Sequence, residues 1–377
     1  MNPVTEPASP DMERLLNRIR PSVRAQHAYR VATDVTSGAK LDQNESPFGL
    51  PANVRSAMLE LVESIDWHRY PDDRPHRLVA ALEKRFQLQE GSVIVGRGSN
   101  ELTQTIGLTF VTPGAKVVLP DPMFALFKAV VAMHGGEAVQ VPPENDLRHS
   151  PERIAQAAQE ADAALVIVTT PNNPTGQTID FEGLKHLAGS VPGFLLIDEA
   201  YHEFFGSRPA TDLIASYPNV LVMRTFSKAL GMAGLRIGYL AGTPQVIAEV
   251  EKARLPFLVD RLSEEAALLL MDQDETIEER VTELGEARRS LETTIGALPG
   301  ARVIPGSANF FLLATPIAPS ALRRELAARG VLIRDVSSYT HLSDFVRISV
   351  GTESENRALV IALQAVLRDA ASRPEAL

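Results

Sequence analysis

Lys228 stands in the stretch Thr225-Phe226-Ser227-Lys228, with Gly234-Leu235-Arg236-Ile237-Gly238 a few residues further on. A lysine just past an apolar run, among hydroxyl groups and near an arginine, offers an amine for a Schiff base beside donors for a phosphate. Two motifs precede it. In Ile197-Asp198-Glu199-Ala200-Tyr201 the aspartate lies 30 residues before Lys228, and in Pro171-Asn172-Asn173-Pro174-Thr175-Gly176 residue Asn173 lies 25 before Asp198. A carboxylate closing an apolar strand needs a cationic or donor partner, because burying it alone is costly. Gly96-Arg97-Gly98-Ser99-Asn100-Glu101 follows a strand and opens a helix. Such a start presents N–H groups and a positive dipole to an anion.

These residues need strands to hold them. Ser92–Val95, Lys116–Pro120, Ala138–Val141, Ala164–Thr169, Phe194–Ile197, Val220–Arg224 and Ile237–Ala241 read as short strands between helical stretches. Several are apolar throughout, which suits a mostly parallel sheet covered on both faces. Ligands of open α/β sheets sit beyond the carboxyl ends of the strands. Asn173, Asp198 and Lys228 all fall at such ends. From about Pro256 the pattern changes. Helices over Ser263–Met271, Glu278–Leu298, Ser320–Arg329 and Glu355–Asp369 accompany strands over Asn309–Ala314, Val331–Asp335 and Phe345–Val350, which suggests a smaller α+β domain. Period-2 alternation in the last strand puts Val346, Ile348 and Val350 on one face, and Arg347 with Phe345 and Ser349 on the other.

Composition narrows the partners. At 377 residues and 45% hydrophobic content the chain can bury a sizeable core. Its 37 basic against 47 acidic residues argue against nucleic acid or anionic membrane as the main partner. With no cysteine, thiolate chemistry and disulfides are excluded, which fits a reducing compartment. Met1–Pro7 carries no secretory-signal pattern, and no apolar run approaches the roughly 20 residues that span a bilayer. The expected location is cytoplasmic. The first ten residues read as disordered. The eight histidines show no paired ligand spacing, so no metal is expected.

The three strand-end motifs, in this order, resemble the pyridoxal-phosphate site of the fold-type I aminotransferases, and the resemblance covers nearly the whole chain. It implies an α/β fold: a mostly parallel central sheet with helices on both faces, plus a smaller α+β domain. The implied division is an N-terminal arm over 1–40 joining the small domain, a large cofactor domain over 41–262 and a small domain over 263–377. Lys228 would be the nucleophile that carries pyridoxal 5′-phosphate as an internal aldimine and afterwards moves a proton. Asp198 would keep the pyridinium nitrogen protonated, so that the ring accepts an electron pair. Asn173 and Tyr201 would reach the ring's phenolic oxygen, and Phe124 would stack on the ring. Gly98, Ser99, Asn100, Thr225, Ser227 and Arg236 would hold the phosphate. Glu199 should point to the opposite face of its strand and serve structure.

Within that group the chain most resembles the histidinol-phosphate aminotransferases. The matching stretches are Arg24-Ala25-Gln26-His27-Ala28-Tyr29, Leu41-Asp42-Gln43-Asn44-Glu45-Ser46-Pro47-Phe48-Gly49 and His68-Arg69-Tyr70-Pro71-Asp72, with the pair Arg334 and Arg347. This implies ping-pong transamination between histidinol phosphate and 2-oxoglutarate in histidine biosynthesis. Arg347 would clamp the substrate's anionic end with help from Arg334, while Tyr29 and Asn44 line the pocket. Tyr70 would reach the neighbouring subunit's cofactor phosphate, making the active form a homodimer with shared sites. Two departures bear on the substrate. Phe124 stands where relatives often carry tyrosine, and Leu255-Pro256-Phe257-Leu258-Val259-Asp260 lacks amides and adds a carboxylate expected to repel phosphate. Aromatic amino-acid aminotransferases and threonine-phosphate decarboxylases share much of the scaffold and stay open as alternatives.

Two other classes fit less well. A nicotinamide dehydrogenase needs Gly-x-Gly-x-x-Gly, and here Glu101 takes the third glycine's place. A cofactor-binding DNA regulator needs an added basic module, which the residues before the first clear strand do not supply.

Overall fold

A computed structural model describes residues 9–26 and 38–372. The described residues form twelve strands: β1 (Ala39–Leu41), β2 (Val93–Gly96), β3 (Lys116–Pro120), β4 (Glu137–Val141), β5 (Leu165–Thr169), β6 (Phe194–Asp198), β7 (Val220–Thr225), β8 (Gly238–Ala241), β9 (Arg302–Ile304), β10 (Phe310–Ala314), β11 (Val331–Asp335) and β12 (Phe345–Ser349). They make two sheets. The larger has the order β2-β8-β7-β6-β5-β3-β4, and the smaller has the order β1-β11-β12-β10-β9.

In the larger sheet β4, β3, β5, β6 and β7 run parallel, and β8 is antiparallel to both β7 and β2. The parallel strands β5, β6 and β7 at its centre are buried at every position except Phe194, which is partly buried, as their unbroken apolar runs require. Alternation then divides them between two cores. Val166, Val168, Leu195, Ile197, Val220 and Val222 pack on one face. Leu165, Ile167, Leu196, Leu221 and Met223 pack on the other. Following the same parity past the apolar residues, Asp198 and Thr225 leave on the second face, while Glu199 and Arg224 leave on the first.

The smaller sheet is antiparallel except for β1, which runs parallel to β11 with Ala39 opposite Val331. Its core comprises Phe311, Leu313, Val331, Ile333, Val346 and Ile348 under Leu284, Leu291, Leu359 and Leu363 of the flanking helices. The turn after β5 meets the connection from β9 to β10 where Gly176 crosses Gly306. A Cβ on Gly176, whose φ is +73°, would lie 2.7 Å from the Gly306 Cα, and Ser307 N–H donates to the Gly176 carbonyl at 2.8 Å. Glycine there permits both the left-handed backbone and the close approach.

The arm divides differently from the expectation. Arg20 and Ser22 donate to the Met133 carbonyl of the large sheet's surround, at 3.0 and 2.9 Å. Among the arm's described residues, only those of β1 join the small sheet. Helix Arg261–Met271 also stays with the larger core, where Ala266, Ala267 and Leu270 are buried with Ile277 of the next helix. We therefore place the division of the chain within helix Asp274–Gly296, some way past residue 263. Among the described residues no helix is long and apolar enough to cross a membrane.

Candidate active site

Residues Thr169, Asp198 and Thr225 close three adjacent parallel strands on the same face. Thr169 lies directly opposite Asp198 in the ladder. Beyond these ends lies a cavity of about 510 Å³, walled on its far side by Val336, Tyr339, Arg334 and Arg347 of the small domain.

Lys228 projects into the cavity from the turn after β7, and its Nζ donates to the Gln43 carbonyl at 2.9 Å. Burial, and then the positive charge of Arg347, lowers its pKa to about 7 from the ordinary 10.5. A substantial neutral fraction exists at neutral pH, as a nucleophilic amine requires. Asp198 is buried and accepts from the Ala200 N–H at 3.0 Å. Burial, and then the charge of Glu199, raises its pKa to about 7 despite that bond and the nearby Lys228.

Glu199 sits on the opposite face. Its Oε2 accepts from two nitrogens of Arg224 at 2.7 and 2.9 Å, while its Oε1 lies 3.1 Å from His202 Nδ1 and accepts from the Ala210 N–H at 3.0 Å. Burial alone would raise its pKa, but the Arg224 charge and the His202 bond outweigh that and hold it at about 2. Adjacent carboxylates at the end of one strand thus have separate environments because successive side chains leave opposite faces.

Tyr201 is buried, and its hydroxyl accepts from Asn44 Nδ2 at 2.9 Å and from Asn173 Nδ2 at 3.4 Å. Arg347 donates to Asn173 Oδ1, and to the Asp42 carbonyl at 2.9 Å. One polar network thereby joins the large domain's Asn-Pro-Thr-Gly turn, the segment after β1 and the small domain's β12.

An anion cup lies at the other end of the cavity. Helix Ser99–Phe110 begins after Gly98, whose φ of +77° turns the chain so that Ser99 and Asn100 reach the cavity. A Cβ on Gly98 would stand 2.5 Å from Arg236 Nη2, so the guanidinium lies against the helix start. Thr225 Oγ1 donates to Ser227 Oγ at 2.9 Å, and Arg236 Nη1 reaches the same Ser227 oxygen at 3.4 Å. Hydroxyls, N–H groups and a guanidinium converge as a phosphate would need.

Phe124 lines the cavity and meets Phe127 edge-on at 6.2 Å between centroids. Two expected residues lie elsewhere. Tyr29 falls outside the described residues. Tyr70 is 78% exposed, away from its own chain's cavity, and stacks on Phe257 at 4.9 Å. The expected repulsion by Asp260 has no basis within this cavity. Its carboxylate accepts from Ser263 N–H at 2.9 Å and Ser263 Oγ at 2.8 Å, capping helix Arg261–Met271, and the segment before it lines a separate cleft with Asp73, Arg74 and Glu251. Sequence reasoning missed Gln43, which acts through its carbonyl, and Tyr339, an aromatic in the connection from β11 to β12.

Residues 36–363 match the family model for aminotransferase class I and II. The chain is 36% identical, over 94% of its length and 98% of the relative's, to the histidinol-phosphate aminotransferase of Chlorobium phaeovibrioides. The crystal structure of histidinol-phosphate aminotransferase from Sinorhizobium meliloti, in complex with pyridoxal-5′-phosphate, superposes with a TM-score of 0.84 at 28% identity, covering 93% of this chain and 98% of that one. L-threonine-O-3-phosphate decarboxylase from Porphyromonas gingivalis shares the fold at a TM-score of 0.78 and 22% identity, covering 88% and 99% of the two chains. With the match running through both sheets and every wall of the cavity, the chain belongs to the aminotransferase class I and II family.

Proposed function

We propose that this chain is a pyridoxal 5′-phosphate-dependent aminotransferase that moves the amino group of histidinol phosphate to 2-oxoglutarate, in histidine biosynthesis. The observation that carries the reading is the cavity itself. A lysine with a pKa lowered to about 7, a buried carboxylate and an anion cup open into one space, with two arginines on the facing wall.

The residues fit the cofactor. Arg236 and the hydroxyls of Thr225 and Ser227 suit its phosphate, and Gly98 leaves the room that a Cβ would fill. Asp198, buried and raised in pKa, suits a protonated ring nitrogen, whose positive charge would draw its proton off. Pyridoxal phosphate, when bound, supplies an electrophilic carbon and a ring able to take up an electron pair. Lys228 serves as nucleophile and then, once released, as the base that takes a proton from the substrate's α-carbon. Tyr201 and Asn173 offer bonds to the ring's phenolic oxygen, and Phe124 offers an aromatic face. Arg347 holds the substrate's anion through paired N–H donors, and Arg334 adds a second guanidinium suited to a phosphate.

The same reading takes the active form as a homodimer, with Tyr70 serving the neighbouring site. Its high exposure outside its own cavity supports this. A cytoplasmic location belongs to the reading too, supported by the absence of cysteine.

Single-turnover mixing of the loaded enzyme with histidinol phosphate, phenylalanine, tyrosine and threonine phosphate tests the substrate. Loss of visible absorbance should be fastest with histidinol phosphate. Faster conversion of phenylalanine or tyrosine would make the enzyme an aromatic aminotransferase, and carbon dioxide released from threonine phosphate would make it a decarboxylase.

A further inference from the structure

Asn44 and Ser349 form a closed pair behind Tyr201. Ser349 Oγ accepts from the Asn44 backbone N–H at 2.9 Å and donates to Asn44 Oδ1 at 2.9 Å. The left-handed backbone of Asn44, with φ +53°, turns its N–H and its side-chain oxygen toward the same hydroxyl. Both residues are almost wholly buried. With Oδ1 occupied in this way, Asn44 Nδ2 faces Tyr201 and donates to its hydroxyl at 2.9 Å.

A phenol oxygen accepts about two hydrogen bonds and donates one. Tyr201 already accepts two, from Asn44 and Asn173. Its proton therefore has one direction left, into the cavity that Tyr201 lines. Each amide must be turned the right way for this to hold. Arg347 can only donate, so its bond to Oδ1 orients Asn173. Among the described residues no cation performs that task for Asn44. An amide has nearly the same shape with its oxygen and nitrogen exchanged, so hydrogen-bond partners alone choose its orientation. For Asn44 the partner on the oxygen side is Ser349.

We propose that Ser349 is a positioning residue for the transamination. Its hydroxyl locks the Asn44 amide as a donor toward Tyr201 and so reserves the tyrosine proton for an anionic oxygen in the cavity. Ser349 does not itself line the cavity. Without its hydroxyl the amide can turn over, and Asn44 Oδ1 then takes the Tyr201 proton. The proposal rests on the reading that the cavity holds pyridoxal phosphate, whose phenolic oxygen is the anion concerned.

The test is a pH titration of the loaded enzyme's visible absorbance, with thermal midpoints measured on the same samples. Removing a donor from the phenolic oxygen disfavours its anionic form. The spectral midpoint in Ser349→Ala should therefore rise by roughly half to one pH unit, the scale of one hydrogen bond. Asn44→Asp, which accepts but does not donate when ionised, should move it the same way. Ser349→Thr, which keeps a hydroxyl, should stay at the wild-type midpoint. A midpoint unmoved in folded Ser349→Ala overturns the proposal whatever Asn44→Asp does, since a merely structural role lowers the thermal midpoint and leaves the titration alone. If Ser349→Ala does not fold, Asn44→Asp against Ser349→Thr decides the matter. Wild-type protein with no visible band that borohydride fixes to Lys228 overturns the cofactor reading, and this proposal with it. A band with an unmoved midpoint overturns the proposal alone.

Discussion

Arg334 and Arg347 are register partners on the neighbouring antiparallel strands β11 and β12, and both line the cavity. Cross-strand partners leave the same face of a sheet a few ångströms apart, and like charges so placed are unfavourable until an anion comes between them. Arg347 is further engaged with Asn173 and the Asp42 carbonyl, so its guanidinium is oriented before any substrate arrives.

Removing the oriented partner should cost every substrate. Arg347→Ala takes away paired charge-assisted bonds, each contributing roughly 1.5–3 kcal/mol. A loss in kcat/KM on the order of 10²-fold or more is expected for amine and oxo acid alike. Arg334→Ala should weaken histidinol phosphate while sparing plain aromatic amino acids. Steady-state kinetics on both variants check this, and an equal loss across all substrates from Arg334→Ala would remove its phosphate-specific role.

Lys228 and Asp198 give the cofactor-free protein a pH signature of its own. Burial raises Asp198 to about 7 from 3.8, so the folded state holds the extra proton and this group's stability contribution is lost as pH rises from about 4 to 7. Burial, and then Arg347, lowers Lys228 to about 7 from 10.5, so its contribution is regained only as pH rises from about 7 to 10.5. The two together make a trough near pH 7. Asp198→Asn should remove the acid limb and Lys228→Met the alkaline one, each raising the thermal midpoint at pH 7 by roughly 3–10 °C. Melting curves from pH 5 to 10 on cofactor-stripped protein decide it, and parallel curves for wild type and variants would refute the linkage.

The face that lines the cavity could be read from the sequence because strand parity is a local property. The apolar runs ending in Ile197-Asp198 and Arg224-Thr225 set both which residue reaches the cavity and which turns away, and Glu199 pairs with Arg224 on the far face as parity demands. Contacts made by the backbone, or across long separations, left no such trace. Gln43 contributes a carbonyl, which every residue type possesses. Strand β1 is three residues long and pairs with a segment nearly 300 residues away, so neither periodicity nor length marks it. Asp260 looked like a charge facing the substrate, because a capping bond to Ser263 is legible only once the helix start is known.

Subunit mixing tests the shared site. If Tyr70 serves the neighbouring chain, a heterodimer of Tyr70→Ala and Lys228→Ala has one site with both defects and one with neither. Two inactive preparations, exchanged by mild denaturation, should recover activity in the heterodimer fraction, approaching half of that fraction's sites. Native mass spectrometry measures the exchange, and exchanged but inactive heterodimers would place Tyr70 outside the site.

The anion cup depends on an absent side chain. Gly98 has a φ of +77°, which an L side chain rarely adopts, and a Cβ there would stand 2.5 Å from Arg236 Nη2. Gly98→Ala should therefore strain the start of helix Ser99–Phe110 and push the guanidinium away from Ser227. The strain falls on a turn and a movable arginine tip, so the protein should still fold. Cofactor affinity should drop roughly 10- to 100-fold, the scale of one charge-assisted bond. Equilibrium dialysis of pyridoxal phosphate against stripped protein measures the drop, and Arg236→Ala in the same experiment should show a loss of similar size. The double variant should then lose little beyond either single one, because both changes break the same contact. Fully additive losses would mean that Gly98 and Arg236 act on the phosphate independently.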